Sequence, residues 1–256
     1  MPAASSLPAP GPAPPRLRPF GDSAAALAVD LSAPPDPVRI TAVLAACADG
    51  ADPARLEALA VGRRIEWLLA LAALELDTFD VALTCPTCRE AIEVDLTVAE
   101  LLEIGRGSGA ETATVEAGGV RLTVRRPTAA DQAAWCRTTY ASEAEAEEAV
   151  VRSLLVDDGG VELTPARLAC LEEALDQLDP LVALAMPVGC PCCGAASVHP
   201  VDVAALALAP LARMQARLIG EVHALARHYH WSEGKVLKLP RWRRARYLAL
   251  VEREAR

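Results

Sequence analysis

Aromatic residues are scarce in this chain, where Phe, Tyr and Trp together make up 4% of 256 residues. Burial therefore falls to Ala, Leu and Val within a 52% apolar composition. That favours helices packed closely through small side chains over a large β-sandwich. Basic charge is also short, since 25 Lys and Arg face 34 Asp and Glu. The formal charge of -9 argues against a protein that coats nucleic acid non-specifically. No basic region followed by an apolar run opens the sequence, so no secretory signal is expected, and the compartment is read as reducing. The longest uncharged apolar run, residues 67–74, is too short to span a bilayer, which predicts a soluble protein with no membrane partner.

The usual catalytic signatures are missing too. There is no Ser nucleophile elbow and no HExxH, and only four histidines occur: His199, His223, His228 and His230. The last three fall on or near one amphipathic helix and read as a solvated face. An enzyme with a small-molecule substrate is not expected.

What the chain does have is cysteine at a particular spacing. Cys85-Pro86-Thr87-Cys88 and Cys190-Pro191-Cys192-Cys193-Gly194 each offer two thiolates at the separation of a metal-binding knuckle. Residues 83–101 laid over 188–206 match at Cys85/Cys190, Pro86/Pro191, Cys88/Cys193, Ala91/Ala196 and Leu101/Leu206, which reads as an internal duplication. Phe79, Val81 and Leu83 alternate into the first knuckle, and Ile92, Val94 and Leu96 alternate out of it, so its tip sits on a β-hairpin. In thioredoxin-like enzymes the CxxC opens a helix that lowers the thiol pKa; here the sequence after Cys88 reads as strand. The expectation is one structural Zn²⁺ per chain on Cys85, Cys88, Cys190 and Cys193, with Cys192 an alternative to Cys193. Cys47, Cys136 and Cys170 stand alone in helix-like segments and read as small core residues.

The rest divides into three. Residues 1–38 hold 10 of the 20 prolines and are expected to be a disordered arm. Residues 39–206 form a helical domain with the duplicated knuckles, and residues 207–256 a C-terminal helical segment. Within the second part, residues 38–48 fit helix or strand, and Asp52-Pro53 starts a short helix that Val61-Gly62 interrupts. A helix with Ile65, Leu68, Leu69, Ala72 and Ala73 on one face follows. Gly105 to Gly109 reads as a flexible connection, and Gly118-Gly119 joins strands 112–117 and 120–125. Further helices cover 128–135, 142–156 and 164–178, with a turn at 157–160. In the last part, a helix from near Pro210 carries Leu211, Met214, Leu218, Val222 and Leu225 on one face. Ser232 caps a short helix, and a final helix buries Trp242, Leu248 and Val251 while exposing Arg243, Arg244 and Arg246. The fold class is α+β, mostly helical, with a duplicated zinc-knuckle (zinc-ribbon-like) core and a C-terminal helical hairpin.

The string EVHALARHYHWSEGKVLKLPRWRRARYLALVE at 221–252 closely resembles the C-terminus of the baseplate hub assembly chaperone family of T-even-type phages and phage-like extracellular contractile injection systems. Val61-Gly62-Arg63-Arg64, the CPTC unit, Arg126-Pro127-Thr128 with Asp131, Asp179-Pro180-Leu181 and CPCCG also look like segments of the larger members. The chain departs from the pattern at Lys235, where an acidic capping-box partner for Ser232 is expected. Thr87, Arg89 and Cys192 also alter the ordinary CPxCG form. The resemblance implies a non-enzymatic assembly factor or minor baseplate component in the bacterial cytoplasm, its presence in the finished particle left open. Its partners would be baseplate or tail-hub proteins, met through Trp231, Trp242, Arg243, Arg244, Arg246 and Tyr247. The alternative is a zinc-ribbon protein that binds nucleic acid, because residues 235–256 carry eight Lys/Arg against two Glu. The aromatic residues among them fit an apolar docking face better.

Overall fold

Caps written in the sequence start most of the helices in the computed structural model, which describes residues 15–21, 24–106, 109–157 and 160–254. After one short turn, α1 (Ala24–Leu27), Asp36 accepts the Arg39 N–H and opens α2 (Pro37–Cys47), so the ambiguous apolar stretch is helix. Asp52 accepts the Ala54 N–H ahead of α3 (Pro53–Ala58). Val61 and Gly62 do not interrupt the path but open the next helix, α4 (Val61–Ala72). Ile65, Leu68, Leu69 and Ala72 of its expected stripe are buried, while Ala73 lies outside the helix and is exposed.

Strand β1 (Thr78–Thr84) pairs antiparallel with β2 (Ala91–Thr97), bringing Phe79 opposite Leu96, Val81 opposite Val94 and Leu83 opposite Ile92. Helix α5 (Val98–Arg106) follows directly and takes in Gly105, whereas residues 107–108 of the expected flexible connection lie outside the described residues. Next come β3 (Thr112–Ala117) and β4 (Val120–Arg125), joined by Gly118 and Gly119 at φ 58 and 73, the left-handed pair that a tight two-residue hairpin needs. Thr128 and Asp131 form a reciprocal capping box on α6 (Ala129–Arg137), and Ser142 caps α7 (Glu143–Leu154). Of the turn expected at 157–160, residues 158 and 159 are likewise outside the described set. Thr164 caps α8 (Pro165–Leu178).

The order of strand, knuckle, strand and helix then repeats. Strand β5 (Ala185–Gly189) pairs with β6 (Ala196–Pro200), and α9 (Val203–Tyr229) follows. This helix corrects one expectation: it does not begin near Pro210 but carries that residue inside, and it runs unbroken across position 206/207. A proline mid-helix forfeits one backbone hydrogen bond. The apolar stripe on both sides of it, from Val203 and Ala207 through Leu211 to Met214, is buried as one surface and outweighs that loss. By length and composition α9 is apolar enough to cross a membrane, yet its stripe lies in the core. Helices α10 (Glu233–Leu237) and α11 (Arg241–Glu254) fold back on α9.

The architecture is therefore α+β, with three separate two-stranded hairpins on a helical body among the described residues. The main core lies among α2, α4, α5 and α9, where Val43, Leu44, Leu68, Leu69, Leu71, Ala207 and Leu211 are fully buried. A second core packs β3 and β4 against α7 and α8 through Leu122, Val124, Val151 and Leu171. A third, much smaller cluster holds Cys85, Ile92 and Cys190. The knuckles thus form a satellite of the helical core.

The N-terminal stretch also differs from expectation. Residues 1–14, 22 and 23 lie outside the described set, but residues 15–21 and the stretch from residue 24 onward are laid on the body. The Arg18 N–H donates to Cys47 O at 2.7 Å, the Asp49 N–H to Arg16 O at 3.0 Å, and Phe20 and Leu31 are buried. Buried Gln215 of α9 clamps this strap, its Nε2 donating to Val29 O at 2.6 Å and its Oε1 accepting the Leu31 N–H at 3.3 Å. A proline-rich segment cannot build a core, but two large apolar residues suffice to anchor it on one built by others.

Candidate metal centre and the C-terminal face

Each knuckle is a tight turn closed by the same two backbone hydrogen bonds. In the first, Cys85 N–H donates to Glu90 O and Arg89 N–H to Cys85 O, at 2.9 and 3.0 Å. In the second, Cys190 N–H donates to Ala195 O and Gly194 N–H to Cys190 O, both at 2.9 Å. The residue after the second cysteine of each pair turns left-handed, Arg89 at φ 64 and Gly194 at φ 73. The duplication read in the sequence is thus repeated bond for bond in the backbone, including the position where one copy lacks glycine.

The turns bring four sulfurs together. The Sγ atoms of Cys85, Cys88, Cys190 and Cys193 all lie within 4.8 Å of one another. Two close separations cross between the knuckles, Cys85 to Cys193 at 3.7 Å and Cys88 to Cys190 at 3.6 Å. Four thiolates around a tetrahedral ion with metal–sulfur bonds of about 2.3 Å would sit about 3.8 Å apart. The group is therefore shaped to hold a metal ion, and it needs both hairpins to do so. Cys192, the alternative ligand, is exposed and outside this group.

The electrostatics agree with that geometry. The backbone N–H of Cys88 donates to Cys85, which with the Thr87 N–H and the neighbouring thiols outweighs burial and holds the Cys85 thiol down to about 6. Cys88 receives the Glu90 N–H, which lowers it, but burial and the thiols of Cys193, Cys190 and Cys85 prevail and push it up to about 12. Cys193 receives the Ala195 N–H and is nonetheless raised, by burial and by Cys190 and Cys85. Four sulfurs this close cannot all ionise on their own, and a divalent cation removes that obstacle.

The lone cysteines divide. Cys47 is buried as expected, whereas Cys136 and Cys170 are exposed, because they fall on the outward faces of α6 and α8.

The C-terminal face is arranged differently from the sequence reading. Trp242 is 68% exposed and Arg244 only 5%. Two residues along a helix are about 200° apart, so only one of them faces inward. Arg244 does, because its Nε donates to Glu221 of α9 at 3.2 Å and its Nη1 to Leu239 O at 2.8 Å. Trp231 and Tyr247 are half-buried in an internal aromatic group. Tyr229 stacks on Trp231 at 4.8 Å, and Tyr247 meets Trp231 edge-on at 5.1 Å. Of the six candidate contact residues, Trp242, Arg243 and Arg246 are fully on the surface. Contrary to the expected cap, Ser232 stands at the N-cap of α10 without a side-chain hydrogen bond to the helix.

Sequence reasoning missed a polar junction at the start of α4. The Val61 N–H donates to Pro127 O at 2.8 Å, and the Gly62 N–H to Asp179 Oδ2 at 3.0 Å. Buried Arg126 lies close enough to Asp179 and Glu66 to lower both carboxyls, although burial raises each overall. The segments at 61–64, 126–131 and 179–181 meet here. Their signal in sequence was only their resemblance to family segments. Comparison with family models, curated proteins and solved structures finds no match to this chain.

Proposed function

We propose that the protein is a non-enzymatic assembly factor or minor baseplate component of a phage-tail-like contractile injection system, working in the bacterial cytoplasm and stabilised by one structural Zn²⁺. Cys85, Cys88, Cys190 and Cys193 would hold the ion, whose soft, closed donor set suits a structural zinc. The reading of the tail-assembly role rests on the resemblance in residues 221–252. The observation that supports it most directly is Trp242, a large ring on the outside of α11 beside the exposed side chains of Arg243 and Arg246. Exposed tryptophan and arginine dominate binding energy when they enter a partner's pocket, typically costing 2 kcal/mol or more on truncation.

Trp242→Ala with Arg243→Ala and Arg246→Ala tests the face. The melting temperature should stay nearly unchanged while co-purification with a baseplate or tail-hub protein is lost. A variant that binds those proteins as before removes this face from the proposal. A salt-dependent gel shift of DNA by the native chain, with no tail protein captured, would instead favour the nucleic-acid reading. Burial of Arg244 already takes one cation out of that basic surface.

A further inference from the structure

The described hairpins turn different faces outward. On β5–β6 the exposed positions are Ala185 opposite Pro200, Pro187 opposite Val198 and Gly189 opposite Ala196, with no polar side chain among them. Val198 is 68% exposed. The duplicate hairpin β1–β2 instead exposes Asp80 opposite Asp95 and Glu93 opposite Ala82, and β3–β4 exposes Glu116 opposite Arg121. A knuckle hairpin therefore does not require an apolar outer face, and a contiguous one left in water marks an interaction surface.

The base of this face meets a cavity of about 380 Å³. Ala185 and Pro200, the first pair of the hairpin, line it together with the exposed Val182 and with Ile40, Val61 and Ile65 of the helical body. Face and cavity thus share walls, and a space of more than about 300 Å³ accepts a bulky apolar group. Among the described lining residues Asp202 is the one exposed charge, and its Oδ1 is engaged in capping α9, where it accepts the Ala205 N–H at 2.9 Å.

The hairpin is poorly suited to an added strand or to a second copy of the chain. The Val201 N–H donates to Leu184 O at 2.8 Å and the Cys190 N–H to Ala195 O at 2.9 Å. Bonded and non-bonded pairs alternate along antiparallel strands, so positions 185, 187 and 189, and 196, 198 and 200, turn their backbone groups to the free edges. Pro187 and Pro200 have no N–H to offer there, which blunts both edges against a strand. Two strands of five residues make a face of about 17 Å by about 10 Å, far below the roughly 800 Å² per partner of a stable dimer.

We propose that the outer face of β5–β6 seats the apolar stripe of a helix from a partner protein, with one bulky side chain of that helix in the cavity. Helices are the elements that cover sheet faces in layered folds. The length of the face matches about 11 helical residues, or three turns. An uncharged face calls for an uncharged stripe, and its small area places the contact at the transient end of protein interfaces. The inference is independent of the tail-assembly reading and of the α11 surface.

Fluorescence anisotropy of the full chain, purified with Zn²⁺ present, tests it with a labelled helical peptide of about 14 residues. The peptide is made of Leu, Ala, Glu and Lys, with leucines at helical spacing and one Phe in their stripe. Binding saturates at one peptide per chain, and a scrambled peptide of the same composition binds at least tenfold more weakly. Val198→Glu charges the face and lowers affinity at least tenfold, with the melting temperature nearly unchanged because the side chain is exposed. Ala204→Phe narrows the cavity from the half-buried first turn of α9 and removes the advantage of the Phe peptide over its Ala counterpart. No binding, equal binding of the scrambled peptide, or undiminished binding in Val198→Glu overturns the proposal. So does tighter binding of a proline-interrupted peptide, which would assign the face to an extended segment, or self-association in sedimentation that Val198→Glu abolishes, which would assign it to a second copy.

Discussion

Asp179 caps a helix to which it does not belong. Its Oδ2 accepts the Gly62 N–H at 3.0 Å across 117 residues of sequence, while Ala60, the local N-cap of α4, has no side chain to offer. The closeness of the two explains the glycine, since a Cβ at position 62 would stand 1.7 Å from Asp179 Oδ1. Both residues are buried, so the pair joins the α8 end of the second core to the helix at the centre of the first.

Removing either partner should therefore loosen the joint. Asp179→Ala leaves a buried N–H unsatisfied and should cost about 1–3 kcal/mol in urea denaturation. Gly62→Ala should cost a similar amount or more, because the carboxylate must move. The double variant should cost less than the sum, since the added methyl no longer meets the carboxylate. Simple additivity would show that the two residues act separately.

Asp131 should make stability depend on pH in the acid range. Arg125 donates to both its oxygens, at 2.6 and 2.9 Å, and with the Thr128 donors holds its carboxyl at about 2, below the usual carboxylate range. A folded pKa below the unfolded one adds stability that is fully present above about pH 4 and lost as pH falls towards 2. The pair is partly solvated, so the contribution is discounted to about 1–2 kcal/mol. Asp131→Asn should lose that amount at pH 7 and flatten the fall in stability between pH 4 and 2, measured against the native chain.

The shared cysteine group predicts an all-or-none metal response. Purified protein should contain about one Zn²⁺ per chain by elemental analysis. Changing Cys85 and Cys88 to Ser, or Cys190 and Cys193 to Ser, should release all of it. Cys192→Ser should retain it, because that side chain points outside the group. Retention of half the metal after loss of one pair would mean two independent sites.

Arg89 marks a small defect in the first knuckle. It holds φ 64, where its counterpart Gly194 holds φ 73 without a Cβ to strain. Its side chain is exposed. Arg89→Gly should raise stability by about 1 kcal/mol or leave it equal, whereas Gly194→Arg should lower it by about as much. Thermal unfolding of the metal-loaded protein distinguishes the two, and a clear loss in Arg89→Gly would mean that the arginine does more than occupy a turn.

Features governed by neighbours in sequence were legible in it. The register of β1 with β2, the Gly118-Gly119 turn, and the helix starts at Asp52, Thr128, Ser142 and Thr164 each depend on a few adjacent residues, whose side-chain period or hydrogen-bonding groups specify the local backbone. The four cysteines were legible for the same reason, since two-residue gaps and a repeated flank need no knowledge of the rest of the chain. What α9 does at Pro210, whether the segment that carries Phe20 and Leu31 lies on the body, and which side of α11 turns inward are decided by surfaces far away in sequence. Pro210 stays in the helix because apolar residues before and after it share one core, and Arg244 rather than Trp242 is buried because Glu221 waits on α9. Local propensities are worth tenths of a kcal/mol per residue, whereas burying one large apolar side chain is worth about 1.5–3 kcal/mol, so where the two conflict the tertiary surface prevails.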